Sequence, residues 1–169
     1  MDLQTPYKAA SDALFNRMKL AFSDSGLALY GERKPPQPKV DQGTPRNIAP
    51  FHVWVDFLPY SNSAQGSATS HELATNFALD VYCIATHADR NKAVDTLQMY
   101  VNSVCMAITA EATLGRAVNN AIPRISDAAV DGTSDKKHIA AAVIEVTLKT
   151  ASICPKEFKE LVRNAENGK

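Results

Sequence analysis

The sequence predicts an α+β fold with two layers, in which a mainly antiparallel sheet of about four strands packs on an N-terminal helix and a long central helix, with a short C-terminal helix. Three observations support this fold class. Residues 51–58, 71–86 and 139–150 alternate apolar and polar side chains, as strands with one buried face do. Residues 93–108 carry apolar side chains at helical spacing. The 169 residues show no repeat or second domain, so we expect a single domain over residues 1–169.

The N-terminal part of the chain is expected to be a helix followed by an irregular segment. Apolar residues recur at helical spacing over residues 6–25, and Gly26 is the expected stop signal of this first helix. Five prolines then fall within residues 31–50, which predicts an extended, irregular arm or loop there. Because this segment is also locally basic, it is either a solvated loop or an arm that docks across a neighbouring subunit.

The remaining elements follow in order along the chain. After the strand at 51–58, residues 60–70 are rich in small polar side chains and are expected to form a loop that leads to the strand at 71–86. The central helix should end near Ala110. An irregular or edge strand is expected at 117–130, followed by a turn at Asp131 and Gly132 and a strand at 139–150. The C-terminal extension at 154–169 is expected to contain a short helix that starts after Pro155 and carries an apolar stripe.

Composition and motifs argue against catalysis and against cofactors. The chain has 18 basic and 18 acidic residues, so no overall charge attracts it to nucleic acid or to a membrane. Phosphate-loop, dinucleotide and GxSxG patterns do not occur. The four histidines and three cysteines show no metal-ligand spacing, and the cysteines are expected to be reduced and buried. We therefore expect no catalytic, cofactor-binding or metal-binding residues, and the chain is not expected to be an enzyme.

The N-terminus also bears on location. It lacks the basic start and unbroken apolar run of a signal peptide, and no apolar run is long enough for a membrane span. The expected protein is soluble, is made in a cytoplasm and has no membrane partner.

The strand FHVWVDFL poses the main question about a site, because its outer face carries His52, Trp54 and Asp56. Neighbouring side chains on one face of a strand stand about 7 Å apart, so His52 and Asp56 are too distant for the direct hydrogen bond that acid and base catalysis would need. A tryptophan on that face needs a partner, either another part of the chain or another subunit. The residues expected at a subunit or partner interface are Arg33, Lys34, Arg46, Trp54, Asp56, Asp80 and Tyr82.

Several stretches, taken in order, resemble the tail terminator, or tail completion, proteins of long-tailed bacteriophages. They are the helix SDALFNRMKLAF, the strand FHVWVDFLPY with the polar hairpin loop after it, and the strand FALDVYCIAT running almost directly into the helix DRNKAVDTLQMYVNSVCMAI. TLGRAV and the closing strand AAVIEVTLKT complete the similarity, which covers roughly residues 11–152. The segment at 34–50 and the tail beyond Cys154 are longer than the family needs.

The resemblance implies a structural virion protein that assembles as a ring, commonly a hexamer, on the last ring of the tail tube. There it stops tube growth and offers a surface for head or connector joining. Its partners would be copies of itself, the tail tube protein and a head connector or neck protein. It would bind no nucleic acid in a sequence-specific way, although DNA would pass through the ring, and it would reside in the virion after synthesis in the host cytoplasm.

Three other functions stay open from the sequence. Another neck or head-tail joining protein would share ring assembly and differ in its neighbours. A small ligand-binding or enzymatic α+β domain would need His52, His71 or His87 to approach one another around a pocket. A nucleic-acid-binding sheet would use Trp54 and Tyr82 as stacking platforms.

Overall fold

The computed structural model of the chain describes residues 6–56, 61–66, 72–133, 135–153 and 156–167. Within these residues the chain forms four α-helices, one 3-10 turn and six strands. The helices are α1 (Pro6–Ala21), α2 (Asp24–Ala28), α3 (Arg90–Thr109) and α4 (Lys156–Asn167), and the 3-10 turn spans Gly31–Arg33. The strands are β1 (Lys39–Gln42), β2 (Phe51–Val55), β3 (Ser61–Gly66), β4 (Glu72–His87), β5 (Asn120–Gly132) and β6 (His138–Ile153).

The strands of the described residues form one mixed sheet in the order β1-β2-β4-β6-β5, and β3 pairs with β4 beside that path. The pairing is parallel between β1 and β2 and antiparallel in the other four pairs. The two longest strands, β4 and β6, pair over their full lengths, from Glu72 with Ile153 to His87 with His138. The predicted α+β fold class is confirmed, with two more strands, β1 and β3, than the sequence pattern indicated.

Helices α1 and α3 cover one face of the sheet, which we call the inner face, and the core lies between the two layers. The alternation of β4 and β6 sends every second side chain into this core, because successive residues of a strand point to opposite faces. Burying each large apolar side chain contributes about 1.5–3 kcal/mol. The largest buried apolar residues are Leu14, Met18, Phe22, Leu27, Phe77, Leu79, Tyr100, Ile108, Ile144 and Leu148.

The predicted end of the first helix is wrong, because the chain starts a second helix where a stop was expected. Helix α1 ends at Ala21, and Ser23 caps α2 by accepting a hydrogen bond from the Gly26 N–H at 3.2 Å. Gly26 lies inside α2, and a Cβ at this position would overlap the carbonyl oxygen of Ala21. The glycine is therefore needed for the close approach of the two helices and does not terminate the first one.

The proline-rich segment is more ordered than an arm or an irregular loop. It contains the 3-10 turn and strand β1, which pairs with the edge of β2. The Tyr100 hydroxyl of α3 donates to the Pro36 carbonyl at 2.6 Å, and the Gln37 side chain donates to the Phe22 carbonyl at 3.2 Å. Residues 31–42 are thus attached to their own chain through hydrogen bonds that involve backbone groups. Such bonds cannot be predicted from the spacing of apolar residues in the sequence.

Two further expectations are corrected by strand pairing. Residues 61–66, expected in a loop, form β3 through backbone pairing with β4. Residues 60 and 67–70 of that predicted loop lie outside the described residues. Asp131 and Gly132, expected to form a turn, belong to β5, and the turn lies beyond them, where the Thr133 N–H donates to the Lys137 carbonyl at 2.7 Å. In both hairpins, the backbone hydrogen bonds between the strands continue past the apolar residues from which the strands were predicted.

The other predicted elements are confirmed within the described residues. The strand expected at 51–58 is observed as β2 over Phe51–Val55, and residues 57 and 58 lie outside the described residues. Helix α3 starts after Asp89, whose carboxylate caps the N–H groups of Asn91 and Lys92, and it ends at its C-cap Ala110. Strand β5 is an edge strand with a bulge between Ile125 and Asp127. The Cys83 thiol is free and buried and that of Cys105 is free and half-buried, whereas Cys154 lies outside the described residues.

Two apolar side chains of the C-terminal helix face solvent. Helix α4 forms as expected after Pro155, but Leu161 and Val162 are 65% and 44% exposed. Among the described helices, none is long and apolar enough to cross a lipid bilayer.

Candidate interaction surfaces

The outer face of the sheet, opposite to α1 and α3, carries a stack of aromatic rings. Trp54 of β2 pairs in register with Tyr82 of β4, and their rings lie parallel, with centroids 4.9 Å apart and planes 5° apart. The His52 ring meets Trp54 edge-on at 5.4 Å. Trp54 is only 6% exposed, so its ring is covered within the chain. The expected partner of Trp54 is therefore intramolecular, and the ring has little surface left for another subunit.

His52 has a partner that the sequence pattern did not reveal. Its Nε2 lies 2.8 Å from Oδ2 of Asp41 in β1, and its Nδ1 accepts the Ala49 N–H at 3.0 Å. Because Nδ1 accepts a hydrogen bond, the ring proton is on Nε2, and this N–H donates a hydrogen bond to the Asp41 carboxylate. The ion pair with Lys39, together with the His52 N–H, holds the pKa of Asp41 below its ordinary value.

The contacts of His52 occupy its whole ring. The side chain is fully buried and both ring nitrogens have partners within the chain. Its function is structural, because it ties β2 to β1 and to the segment between them. The missed partner Asp41 could have been found only by recognising β1 in the proline-rich segment.

Four predicted interface residues come together on the outer face. The Asp56 N–H donates to the Asp80 carbonyl at 2.8 Å, and the Tyr82 hydroxyl donates to Oδ2 of Asp80 at 3.4 Å. Burial, and then the negative charges of Asp80 and Asp56, raise the pKa of Tyr82. Trp54, Asp56, Asp80 and Tyr82 thus form one continuous cluster, which we call the outer-face cluster.

The basic residues Arg33 and Lys34 lie elsewhere, on the helical side of the molecule. They line a groove of about 760 Å³ between the 3-10 turn and α3, together with His87, Lys92 and Asp95. Lys34 pairs with Asp24 at 3.0 Å, and the Tyr30 hydroxyl donates to the Met99 carbonyl at 2.7 Å, which attaches this segment to α3. The charges of Arg33 and Lys34 are therefore presented from a fixed position.

Arg46 belongs to neither group. It is exposed in the stretch that links β1 to β2, and it does not line the groove beside α3. The seven predicted residues thus occupy two separate surfaces and a connecting segment. The contact of these surfaces with another subunit stays a prediction.

The titratable side chains of the described residues do not converge on a metal site. No group of three or more His, Cys, Asp or Glu side chains is close enough to hold an ion in the described part of the chain. His52 lies on the outer face, whereas His87 contacts Phe51 on the inner face, with ring centroids 6.2 Å apart. His71 lies outside the described residues. The approach of His52 to His87, which an enzymatic alternative would use, does not occur.

The loop after α3, which contains the TLGRAV stretch, is organised by one carboxylate. Glu111 accepts hydrogen bonds from the Thr113 hydroxyl and the Gly115 N–H and pairs with Arg17 of α1 at 2.8 Å. These contacts, with Thr113 the strongest, lower the pKa of Glu111 to about 2. Leu114, Gly115 and Arg116 all have left-handed backbone conformations, with φ of 49°, 69° and 71°. The loop is a tight structural turn.

Comparisons with known proteins give limited matches. No protein-family model matches the chain, and no curated protein matches it. Among solved structures, it is similar to a chain described as "Virion of native gene transfer agent (GTA) particle". The two share 12% sequence identity with a TM-score of 0.42, over 82% of this chain and 93% of that one.

Proposed function

We propose that this chain is a structural virion protein of the tail terminator type. It forms a closed ring, a hexamer, at the head-proximal end of a phage tail tube, where it stops tube polymerisation and provides the surface for head or connector joining. Its partners are copies of itself, the tail tube protein and a connector or neck protein, and DNA passes through the ring without being read. The protein performs no catalysis in this function.

One observation supports the proposal, namely that the helix and strand stretches named in the resemblance form helices and strands in the expected order. SDALFNRMKLAF falls in α1 and its continuation, and FHVWV forms β2. FALDVYCIAT lies in β4, which leads within three residues into α3, and AAVIEVTLKT lies in β6. The strand pairs of β2 with β4 and of β4 with β6 bring these stretches together in one sheet.

The distribution of surfaces is also consistent with a ring. A closed ring of identical subunits requires a head-to-tail contact, in which each subunit presents two different surfaces. The outer-face cluster carries Asp56 and Asp80, whereas the groove beside α3 lies on the helical side and is lined by Glu32 and Asp95 as well as by the basic residues Arg33, Lys34 and Lys92. Asp56 and Asp80 on one subunit and these basic side chains on another have the opposite charges that such a contact favours.

The alternatives are less well supported by the geometry. A nucleic-acid-binding sheet needs exposed aromatic rings, and Trp54 is buried against Tyr82 and His52. A small enzyme would need convergent titratable groups, and His52 and His87 lie on opposite faces. Another neck or head-tail joining protein would assemble in the same way, and its binding partner distinguishes it: a tail terminator binds the tube protein directly.

The proposal is tested by measuring the mass of the purified protein at rising concentration, alone and mixed with the tube protein of the same virus. We expect a single closed oligomer and a complex in which one ring caps the tube. Binding to the connector without binding to the tube protein would favour the other neck proteins. Monomers under both conditions would refute the proposal.

A further inference from the structure

A second groove, which is apolar, lies on the helical side of the molecule. It is bounded by the end of α1, by α2 and by the second half of α3. It measures about 290 Å³ and is lined by Ala21, Gly26, Leu29, Met106, Ala107 and Ala110. Most of these residues are small, so another backbone can approach closely, and the large apolar side chains among them stand at the edge of the protein surface. Two of these large residues, Leu29 and Met106, are 88% and 58% exposed. A groove of this kind accepts the apolar face of an amphipathic helix.

The chain itself carries a helix with a matching face. In α4 the apolar residues Phe158, Leu161, Val162 and Ala165 follow the spacing i, i+3, i+4 and i+7. On α3, the wall of the groove is formed by Ser103, Met106, Ala107 and Ala110, which have the same spacing. Both stripes are about 10 Å long, because each covers seven residue steps of a helix.

Helix α4 does not fill the groove of its own chain. Leu161 and Val162 remain exposed on the helix, and Leu29 and Met106 remain exposed at the groove. A head-to-tail contact between copies requires two different surfaces on each chain, and these two apolar surfaces meet that requirement.

The composition of α4 favours a protein partner over a membrane. Lys156, Lys159 and Arg163 balance Glu157, Glu160 and Glu166, so the helix has three basic and three acidic residues. Helices that lie on anionic membranes are typically rich in Lys and Arg on the polar face. The groove residues likewise carry no charge.

We propose that α4 of one copy of this chain docks into the α1–α2–α3 groove of the neighbouring copy. This inference rests on the proposed ring and names one of the contacts that would close it. A helix about 18 Å long covers less area than a stable interface needs, so the contact would act together with others between neighbours.

Disulfide trapping between two differently tagged chains tests the contact directly. One chain carries Met106→Cys and the other Leu161→Cys, both with Cys105→Ser and Cys154→Ser. Because the remaining Cys83 is fully buried, a link can form only between copies. We expect a cross-linked pair under mild oxidation, since the Cα atoms must approach within about 7 Å. The matched control replaces Leu161→Cys by Arg163→Cys, on the opposite side of α4, and should link at least roughly tenfold less.

A second measurement separates failure of this inference from failure of the proposed function. The double variant Leu161→Ser, Val162→Ser should weaken self-association at least roughly tenfold, whereas Glu160→Ser should not change it. These side chains are exposed, so the variants should fold normally. Rings that form equally well with the double variant would overturn the inference and leave the proposed function intact.

Three other results would also overturn the inference. They are the absence of any link between the two chains, equal linking by the Arg163→Cys control, and binding of α4 to phosphatidylserine vesicles in place of a second copy. A wild-type protein that stays monomeric would contradict the proposed ring as well.

Discussion

At the scale of single residues, His52 shows how one buried polar side chain can hold three segments together. Its ring links β2 to Asp41 of β1 and to the backbone of Ala49, and it supports the edge of Trp54. A buried polar group is tolerated in a fold when its hydrogen bonds are made, and it is costly when a partner is removed.

We expect His52→Ala to lower the free energy of unfolding by about 2–3 kcal/mol, because it leaves a cavity, an unpaired Ala49 N–H and a less well-bonded Asp41. Urea denaturation measures this change. Arg46→Ala is the matched control, since Arg46 is exposed in the adjoining segment and should alter stability by less than about 0.5 kcal/mol. Equal effects of the two substitutions would show that the His52 contacts do not stabilise the fold.

Glu111 should make the stability of the protein depend on pH. The pKa of Glu111 in the folded protein, about 2, lies below its ordinary value of 4.5. The contribution of Glu111 to the free energy of unfolding is therefore complete above pH 4.5 and is lost as the pH falls towards 2. The difference in stability between the wild type and Glu111→Gln should therefore be largest near pH 6 and shrink across this window. Denaturation curves at several pH values measure it, with Glu160→Gln on the exposed side of α4 as control. A difference that does not change between pH 6 and pH 3 would contradict the assignment.

At the scale of elements, apolar periodicity correctly predicted the helices and strands that build the core. Helix α3 and strands β4 and β6 bury one stripe or one face each, and that burial leaves a clear pattern in the sequence. Strands β1 and β3 left no such pattern, because β1 lies among prolines and β3 consists of small polar residues. Both form by pairing their backbone with a neighbour that is already present, β2 or β4. The formation of these two strands depends on the neighbouring strand in the folded sheet and not on the local amino-acid composition.

The candidate site was predictable to a similar degree. Alternation placed Trp54, Asp80 and Tyr82 on one face, and the structure brings them together there. The register that puts Trp54 directly opposite Tyr82, and so covers the tryptophan, arises only when β2 pairs with β4. The partner of His52 depended on the unrecognised strand β1. The exposure of the α4 stripe was not predictable, because apolar spacing does not tell which surface will cover it.

The turn after α3 should be sensitive to substitution of its glycine. Gly115 has a φ of 69°, and an added Cβ would meet no atom within 4 Å, so the cost of Gly115→Ala is backbone strain alone, about 1 kcal/mol. Gly132→Ala is the matched control, because its Cβ also meets no atom within 4 Å and its backbone is not left-handed. Thermal denaturation compares the two, and equal melting temperatures would contradict the role of Gly115 in the turn.

At the scale of the whole molecule, the candidate interaction surfaces lie on two different sides of the sheet. The core needs only one face of the sheet, which leaves the outer-face cluster on one side and two grooves on the helical side. A head-to-tail contact needs two different surfaces of this kind, and in the proposed assembly it joins copies into a ring if the rotation closes. The proposed tail-terminator function follows from this geometry together with the order of the elements.

The central claim, that the chain forms a closed ring, is tested most directly by the mass of the particle in solution. Native mass spectrometry or mass photometry should find a discrete species of six subunits of 18.3 kDa, about 110 kDa, alone or bound to the tube protein. Because a ring closes, no larger series of oligomers should appear as the concentration rises. A protein that remains at 18.3 kDa at high concentration, with and without tube protein, would contradict the account.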